Sequence, residues 1–239
     1  MSHSIANLKN VDLLSSVVGK ALVRPTHLPG LVVFYGASGI GKSFSAAYAA
    51  NRYQAYYVEC KSSWTRKALL SAILNSMGIM PAKTLPEMTD QAAEQLALSG
   101  KPLIIDEMDH IVEKKAVEVI RDLYEGSQGT IVMIGEELLP FKLKVWERFH
   151  NRVLYWVPAQ LAVIEDCQAL ASLYCGDTVI ADDLLTEINR VSKGCVRRIC
   201  VNIERVRQYS NILGGLSEIN LKDWGNQGFY TGDAPERTR

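Results

Sequence analysis

Gly36-Ala37-Ser38-Gly39-Ile40-Gly41-Lys42-Ser43-Phe44 follows directly on the apolar run Leu31-Val32-Val33-Phe34-Tyr35. The spacing of glycines, lysine and serine is that of a phosphate-binding loop, G-x-x-x-x-G-K-[ST]. Glycines let the backbone curl around phosphates with its N–H groups pointing inward, and a helix N-terminus behind the loop adds its dipole. The Ala-rich stretch 43–52 predicts that helix, and the apolar run predicts the strand before it. In this reading residues 36–44 wrap the phosphates of a nucleotide, Lys42 reaches the β- and γ-phosphates, and the Ser43 hydroxyl sits on Mg²⁺. The plain alternative is a glycine turn with a surface lysine, which the flanking strand and helix disfavour.

The partner motif is Lys101-Pro102-Leu103-Ile104-Ile105-Asp106-Glu107-Met108-Asp109-His110. Aliphatic residues ending in two acids describe a buried parallel strand that delivers carboxylates to the ligand crevice. Asp106 is the expected Walker B aspartate, holding Mg²⁺ through its water shell, and Glu107 is the candidate that orients or deprotonates the attacking water. One carboxylate for the metal and one for the water suffice chemically, because phosphoryl transfer needs positioning and charge neutralisation. An apolar strand followed by acids is also an ordinary helix cap; the phosphate loop upstream favours the functional reading.

Composition frames these motifs. The chain has 239 residues, 48% hydrophobic and 22% charged, with zero formal net charge, which fits one or two globular domains. No apolar run reaches the roughly 20 residues of a membrane span, and the N-terminus lacks the order of a signal peptide, so a cytoplasmic protein without membrane partners is expected, in the bacterial host cytoplasm if phage-encoded. Cys60, Cys167, Cys175, Cys195 and Cys200 show no C-x-x-C pair and read as reduced core residues; the scattered histidines 3, 27, 110 and 150 suggest no metal site.

From Leu31 the pattern alternates strand and helix, with strands at 31–35, 55–58, 103–105, 130–134 and 153–157, and helices at 43–52, 64–77, 87–99, 111–125 and 138–146. This predicts an α/β fold with a parallel five-stranded sheet covered by helices on both faces. Residues 1–30 form a lead-in with an amphipathic stretch at 11–23, able to pack on the core or mediate contacts, and 31–158 the nucleotide-binding domain. Helical periodicity at 159–173, 181–191 and 196–213 predicts a small all-helical domain over 159–213. Residues 214–239, rich in Gly, Asp, Asn and Arg, read as a loosely ordered tail.

Between Glu59 and Glu87 no acidic residue occurs, while Lys61, Arg66, Lys67 and Lys83 do. Lys61-Ser62-Ser63-Trp64-Thr65-Arg66-Lys67 combines cations with hydroxyls at an expected strand-to-helix junction, where free backbone N–H groups also favour phosphate. Lys61, Ser63, Thr65, Arg66 and Lys67 are therefore candidates for tracking a nucleic-acid backbone. The competing reading is a solvated helix start with Trp64 as packing anchor. Lys114 and Lys115, at the expected start of the helix after the acidic motif, form a second candidate, with helical Glu–Lys pairing to Glu113 and Glu118 as the competing explanation.

With these motifs in place the chain resembles an AAA+ ATPase over about residues 30–213. The resemblance implies the P-loop AAA+ fold with a small helical lid, ATP and Mg²⁺ as cofactors, and ATP hydrolysis. Glu147-Arg148-Phe149-His150-Asn151-Arg152 is similar to the region that carries the arginine finger in this superfamily, with Arg148 the first choice and Arg152 the second. Ser192-Lys193-Gly194-Cys195-Val196-Arg197-Arg198 is similar to the sensor 2 pattern, which implies that Arg197 contacts phosphate; solvated arginines at element ends are the plain alternative. The strand at 130–134 departs from the pattern, running into Gly135-Glu136-Glu137 where a small polar sensor 1 residue is expected, so sensor 1 stays open with Glu136 as a candidate.

Within AAA+ proteins, the form Ile105-Asp106-Glu107-Met108-Asp109-His110, the following stretch 113–123 and the compact size resemble the target-selecting ATPases of transposition: the B protein of Mu-like phages and its TnsC and TniB relatives. The stretch before Leu31 is too short for the helix-turn-helix domain of the Mu protein. The resemblance implies ATP-dependent, sequence-nonspecific assembly of a helical or ring homo-oligomer on double-stranded DNA and stimulation of a transposase. The rival expectations are an adaptor or loader whose main partner is protein, and a signalling ATPase.

Overall fold

The computed structural model describes residues 6, 8–176 and 178–234. In chain order they form α1 (Lys9–Leu22), β1 (Leu31–Tyr35), α2 (Lys42–Arg52), β2 (Tyr56–Glu59), α3 (Arg66–Ser76), α4 (Leu85–Ser99), β3 (Leu103–Asp106), α5 (Asp109–Glu113), α6 (Val117–Ser127), β4 (Ile131–Gly135), α7 (Leu139–Leu143), α8 (Glu147–His150) and β5 (Val153–Pro158). Beyond Pro158 come α9 (Ile164–Tyr174), β6 (Val179–Ile180), α10 (Asp182–Ser192), α11 (Val196–Ile212), β7 (Glu218–Ile219) and α12 (Leu221–Trp224). Asn10–Ala37 and Lys42–Ala159 make one compact unit; the described residues of Met1–Lys9, Ser38–Gly41 and Gln160–Arg239 make the other.

The first unit is built on a five-stranded parallel sheet in the order β2-β3-β4-β1-β5. Alternation along each strand sorts its apolar residues onto two faces. Leu31, Val33, Leu103, Ile105, Ile131 and Met133 face a core shared with Leu69, Leu70, Ile73 and Leu74 of α3, Met88 and Leu96 of α4, and Ile120 and Leu123 of α6. Val32, Phe34, Ile104, Val132 and Ile134 face the other core, closed by Ala46 and Ala49 of α2 and by Leu14, Val17, Val18 and Ala21 of α1. The lead-in thus supplies a helix to the sheet. Fully burying one such Leu, Ile or Phe contributes about 1.5–3 kcal/mol, against about 0–1 kcal/mol for an exposed ion pair, so the two doubly covered strand faces, and not surface charge, hold this unit together.

Several helices differ from the periodicity reading. The expected helix at 111–125 is two, α5 and α6, separated at Lys114–Ala116 where Lys115 takes φ +54°. The break lets Ile111 and Val112 and, separately, Val117, Ile120 and Leu123 reach the same core, which one continuous helix from Asp109 does not do. Lys114 and Lys115 therefore lie in the break and not at a helix start. The expected helix at 138–146 likewise divides into α7 and α8. α4 starts at Leu85, before the expected residue 87, because the Thr84 N–H and hydroxyl both donate to the Glu87 carboxylate and Pro86 suits a first turn.

The second unit is not all-helical. β6 and β7 pair in parallel, Val179 with Glu218 and Ile180 with Ile219, a ladder too short to leave a period in the sequence. Residues after 213 are also tied down. Trp224 is buried, edge-to-face with Tyr209 and tilted against Phe229, and the buried Asn202 side chain donates to the Tyr230 carbonyl at 3.0 Å and accepts the Tyr230 N–H at 2.7 Å. Residues 235–239 of the expected tail lie outside the described residues. All five cysteines are free, with Cys60, Cys167 and Cys175 buried and Cys195 and Cys200 half-buried. Among the described residues no helix is long and apolar enough to cross a membrane.

At the strand-entry edge of the sheet, Arg24 acts as a clamp. Its guanidinium donates to the carbonyls of Ala21, Leu28, Gln128 and Gly129 and to the buried Thr130 hydroxyl. Gly30 leaves room for it: a Cβ there would lie 2.3 Å from Arg24 Nη2. Arg24→Met keeps the aliphatic stem and removes every donor. Since hydrogen bonds to charged groups contribute about 1.5–3 kcal/mol, urea denaturation should show a loss of about 2–3 kcal/mol; a loss below about 0.5 kcal/mol contradicts the clamp.

Candidate nucleotide-binding site

The sheet places the phosphate loop and the acidic motif side by side. β1 lies between β4 and β5, with Tyr35 in register with Gly135. The chain order reverses across β1, which makes the carboxyl ends of the strands the natural ligand crevice. Beyond the ladder the Gly36 N–H donates to the Gly135 carbonyl, the Met108 N–H to Ile134 and the Cys60 N–H to Asp106. The ends of β1, β2, β3 and β4 are thereby stitched at one level.

The loop has the backbone its glycines predict: Gly39 and Gly41 take φ +80° and +92°, values that a side chain strains. Ala37, Ser38 and Ser43 are exposed, Gly36 and Ile40 are buried, and Phe44 is half-buried. The Lys42 ammonium donates to the Gly36 and Ala37 carbonyls at 2.7 and 2.8 Å. Burial pushes Lys42 below its ordinary pKa, opposed by the carboxylates of Glu107, Asp106, Glu136 and Asp109. The structure thus brings Lys42, Asp106, Glu107 and Glu136 into one electrostatic neighbourhood.

Asp106 is buried at the end of β3, where one carboxylate oxygen accepts the Glu107 N–H at 2.9 Å and the other the Tyr57 hydroxyl at 3.2 Å. Burial, then the Asp106 charge, pushes the Tyr57 hydroxyl up, so it stays a donor. The same two causes, joined by Glu107 and Glu59, push the Cys60 thiol up to about 12, an inert sulfur beneath the site. Glu107 takes φ +54°, rare for a residue with a side chain. Burial, followed by Asp106, raises its carboxyl above the ordinary value, against Lys42 and His110. A raised carboxyl in a cleft is a better proton acceptor at neutral pH.

Among the described residues no three His, Cys, Asp or Glu side chains converge as a preformed metal cage. Mg²⁺ usually keeps several waters and takes one or two carboxylates plus substrate phosphates, so a single buried Asp106 carboxylate and an exposed Ser43 hydroxyl in the loop are a donor set that fits such an ion.

The arginines differ in their surroundings. Arg152 is paired with Glu125 and also donates to the Arg148 carbonyl. Arg148 is exposed, and its guanidinium has no partner among the described residues. In the second unit, Lys193 and Gly194 both take left-handed backbone and turn the chain into α11, so that the Arg197 N–H donates to the Gly39 carbonyl at 3.0 Å while the Arg197 side chain is exposed. The Cys195 thiol donates to the same carbonyl at 3.5 Å.

Three residues of this neighbourhood have no functional role in the sequence reading: Tyr57, Asp109 and Cys195, the last read only as a reduced core residue. Asp109 and Cys195 lie within quoted motifs; Tyr57 carries no local signal.

The expected backbone-tracking residues Lys61, Ser63, Thr65, Arg66, Lys67, Lys114 and Lys115 are all exposed. Their two groups meet: Arg66 Nη2 donates to the Lys115 carbonyl at 3.1 Å, an acceptor left open by the break between α5 and α6. Lys67 donates to the Lys83 carbonyl at 3.2 Å, Thr65 caps α3 by accepting the Ala68 N–H, and Trp64 packs on the core as an anchor. Asp90 and Asp122 line the groove beside Arg66 and bound the cationic surface on that side.

A family model described as an AAA domain matches residues 26–143. Among solved structures the chain is similar to the ORC2 protein of Aeropyrum pernix in its ADP form, at 14% identity and TM-score 0.69, over 90% of this chain and 66% of that one. The ORC1 protein of Aeropyrum pernix in complex with DNA gives 16% identity and TM-score 0.62 over 90% and 62%. A single-residue variant of Thermotoga maritima RuvB gives 18% and 0.60 over 90% and 66%. The chain thus spans about two thirds or less of these proteins, and at such identities the likeness concerns the fold. No curated protein sequence matches the chain.

Gly39→Ala places a Cβ 2.8 Å from Cys195 Sγ in a left-handed backbone. It should lower stability to urea by about 1–2 kcal/mol, with Cys195→Ala recovering only the steric part. Full recovery would show that backbone strain contributes nothing; no loss would contradict the loop geometry.

Proposed function

We propose that the chain, whose residues 26–143 match a model of the AAA domain, binds and hydrolyses ATP and uses the nucleotide to control oligomeric, sequence-nonspecific binding to duplex DNA. The observation that carries this is the convergence of Lys42, Asp106, Glu107 and Glu136 at the level strand ends behind a glycine loop. The loop N–H groups of residues 36–44 and the Lys42 ammonium bind phosphates, Ser43 and Asp106 hold Mg²⁺, and Glu107 holds the attacking water and takes its proton. Bound Mg²⁺ supplies neutralisation of the charge on the phosphate oxygens. Tyr57 keeps one Asp106 oxygen engaged and so orients the other. Arg148, exposed and unpaired among the described residues, suits a role at a neighbouring subunit's nucleotide better than Arg152, which Glu125 already engages. Arg197 stands beside the loop tip, ready to sense phosphate.

The DNA component rests on the contact of Arg66 with the Lys115 carbonyl, which joins the two basic segments into one exposed surface. Cations and hydroxyls without a set of base-reading amides favour backbone tracking, and repetition along an oligomer multiplies a modest charge per subunit. The ORC1 protein of Aeropyrum pernix, of like fold, has been solved with DNA. On the motif resemblance given above, the role is that of a target-selection factor that activates a transposase. One observation favours a second reading, an adaptor or loader acting on protein: Leu138, Phe141 and Val145 are 63%, 76% and 80% exposed around α7.

Binding to duplexes of increasing length, at several salt concentrations and with ATP, ADP or a nonhydrolysable analogue, tests the proposal. The expected result is cooperative, length-dependent binding that needs a triphosphate and weakens steeply with salt. Lys61→Glu with Arg66→Glu should weaken it at least tenfold. Full affinity in that variant overturns the surface assignment, and absence of binding in every nucleotide state overturns the DNA role in favour of the protein-directed reading.

A further inference from the structure

Asp109 is a buried carboxylate with partners on two other segments. Its Oδ2 accepts the Glu136 N–H at 2.6 Å, just beyond β4, and its Oδ1 accepts the Lys142 ammonium of α7 at 2.8 Å. Lys142 also reaches Glu113 at 3.2 Å, but Glu113 is largely exposed while the Asp109 side chain is 6% exposed. The pair with Asp109 is therefore the one screened least by water.

The end of β4 is shaped around this carboxylate. A Cβ on Gly135 would lie 2.3 Å from Asp109 Oδ2 and 2.7 Å from Leu139, so no residue with a side chain fits there without displacing the contact. Gly135 has φ in the ordinary range, since it is not among the positive-φ glycines; space and not backbone freedom requires glycine. The next residue, Glu136, puts its carboxylate in the field of Lys42, and the Gly135 carbonyl is the acceptor for Gly36 at the mouth of the phosphate loop. Asp109 thus fixes the peptide linking these two features.

We propose that Asp109, held by Lys142, is a positioning residue for ATP hydrolysis: it fixes the Gly135–Glu136 peptide and so sets where the Glu136 carboxylate stands relative to Lys42 and Glu107. This rests on the ATPase reading above. Asp109 touches neither nucleotide nor water in this role; it acts through the peptide it holds. Losing it leaves the phosphate loop able to bind but lets the acidic end of β4 wander, so turnover suffers and nucleotide affinity does not.

The test measures kcat and the Kd of a fluorescent ATP analogue, with thermal melting to certify folding, for wild type, Asp109→Asn, Asp109→Ala, Lys142→Met and Gly135→Ala. Asn retains an acceptor for the Glu136 N–H, so Asp109→Asn should lose about fivefold in kcat and Asp109→Ala about thirtyfold or more, with Kd within about threefold throughout. Lys142→Met should resemble Asp109→Asn, and a double variant combining these two substitutions should lose less than the product of the single losses because both act through one contact. Gly135→Ala, which leaves every charge in place, should reproduce the loss in kcat. Unchanged kcat in the folded variants, multiplicative losses, or a loss that follows Kd overturns the positioning role while leaving the ATPase reading intact. A wild-type chain that does not turn over ATP overturns both.

Discussion

Parallel pairing of β1 with β4 and of β3 with β4 is the constraint on which the site depends. It puts Tyr35 beside Gly135 and Ile105 beside Met133, and the N–H groups of Gly36 and Met108 then continue the ladder onto the Gly135 and Ile134 carbonyls. Because side chains alternate along a strand, a slip of one residue would turn the buried aliphatics toward the wrong layer. The two apolar cores therefore hold the register, and the register holds the loop, the acids and the end of β4 at one level. The chemistry of the site is borrowed from the packing beneath it.

That packing also sets the charge balance. Asp106, Glu107, Asp109 and Glu136 all act electrostatically on the half-buried Lys42, and Asp109 is itself paired with Lys142. The acids are not equivalent. Asp106 is held by Tyr57 and by the Glu107 N–H, Asp109 by Lys142 and the Glu136 N–H, while burial beside Asp106 raises Glu107 above its ordinary value. Two acids fixed by hydrogen bonds and one with a raised carboxyl are three different environments made from the same side-chain chemistry.

Much of this was legible in the sequence because it is encoded locally. The phosphate loop, the strand ending in Asp106-Glu107 and the alternation of strand and helix are short-range patterns, and the parallel sheet they predict is the one observed. What escaped was set by contacts between distant segments. The break at Lys114–Ala116 serves the burial of two helical stretches in one core; β6 and β7 pair across residues 179–219 through two residues each; and Trp224 and Tyr230 are held by Tyr209 and Asn202 from α11 although their stretch has the composition of a loose tail. Gly135, read as a departure where a polar residue was expected, makes physical sense once Asp109 fills the space beside it.

The most direct test of the account is calorimetric titration of ATP with Mg²⁺ into wild-type protein and Glu107→Gln, paired with phosphate release. The account predicts that both bind ATP with similar affinity and that only the wild type releases phosphate at an appreciable rate, at least a hundredfold faster than the variant. A wild-type chain that binds no ATP, or a Glu107→Gln variant that hydrolyses as fast as wild type, would contradict it.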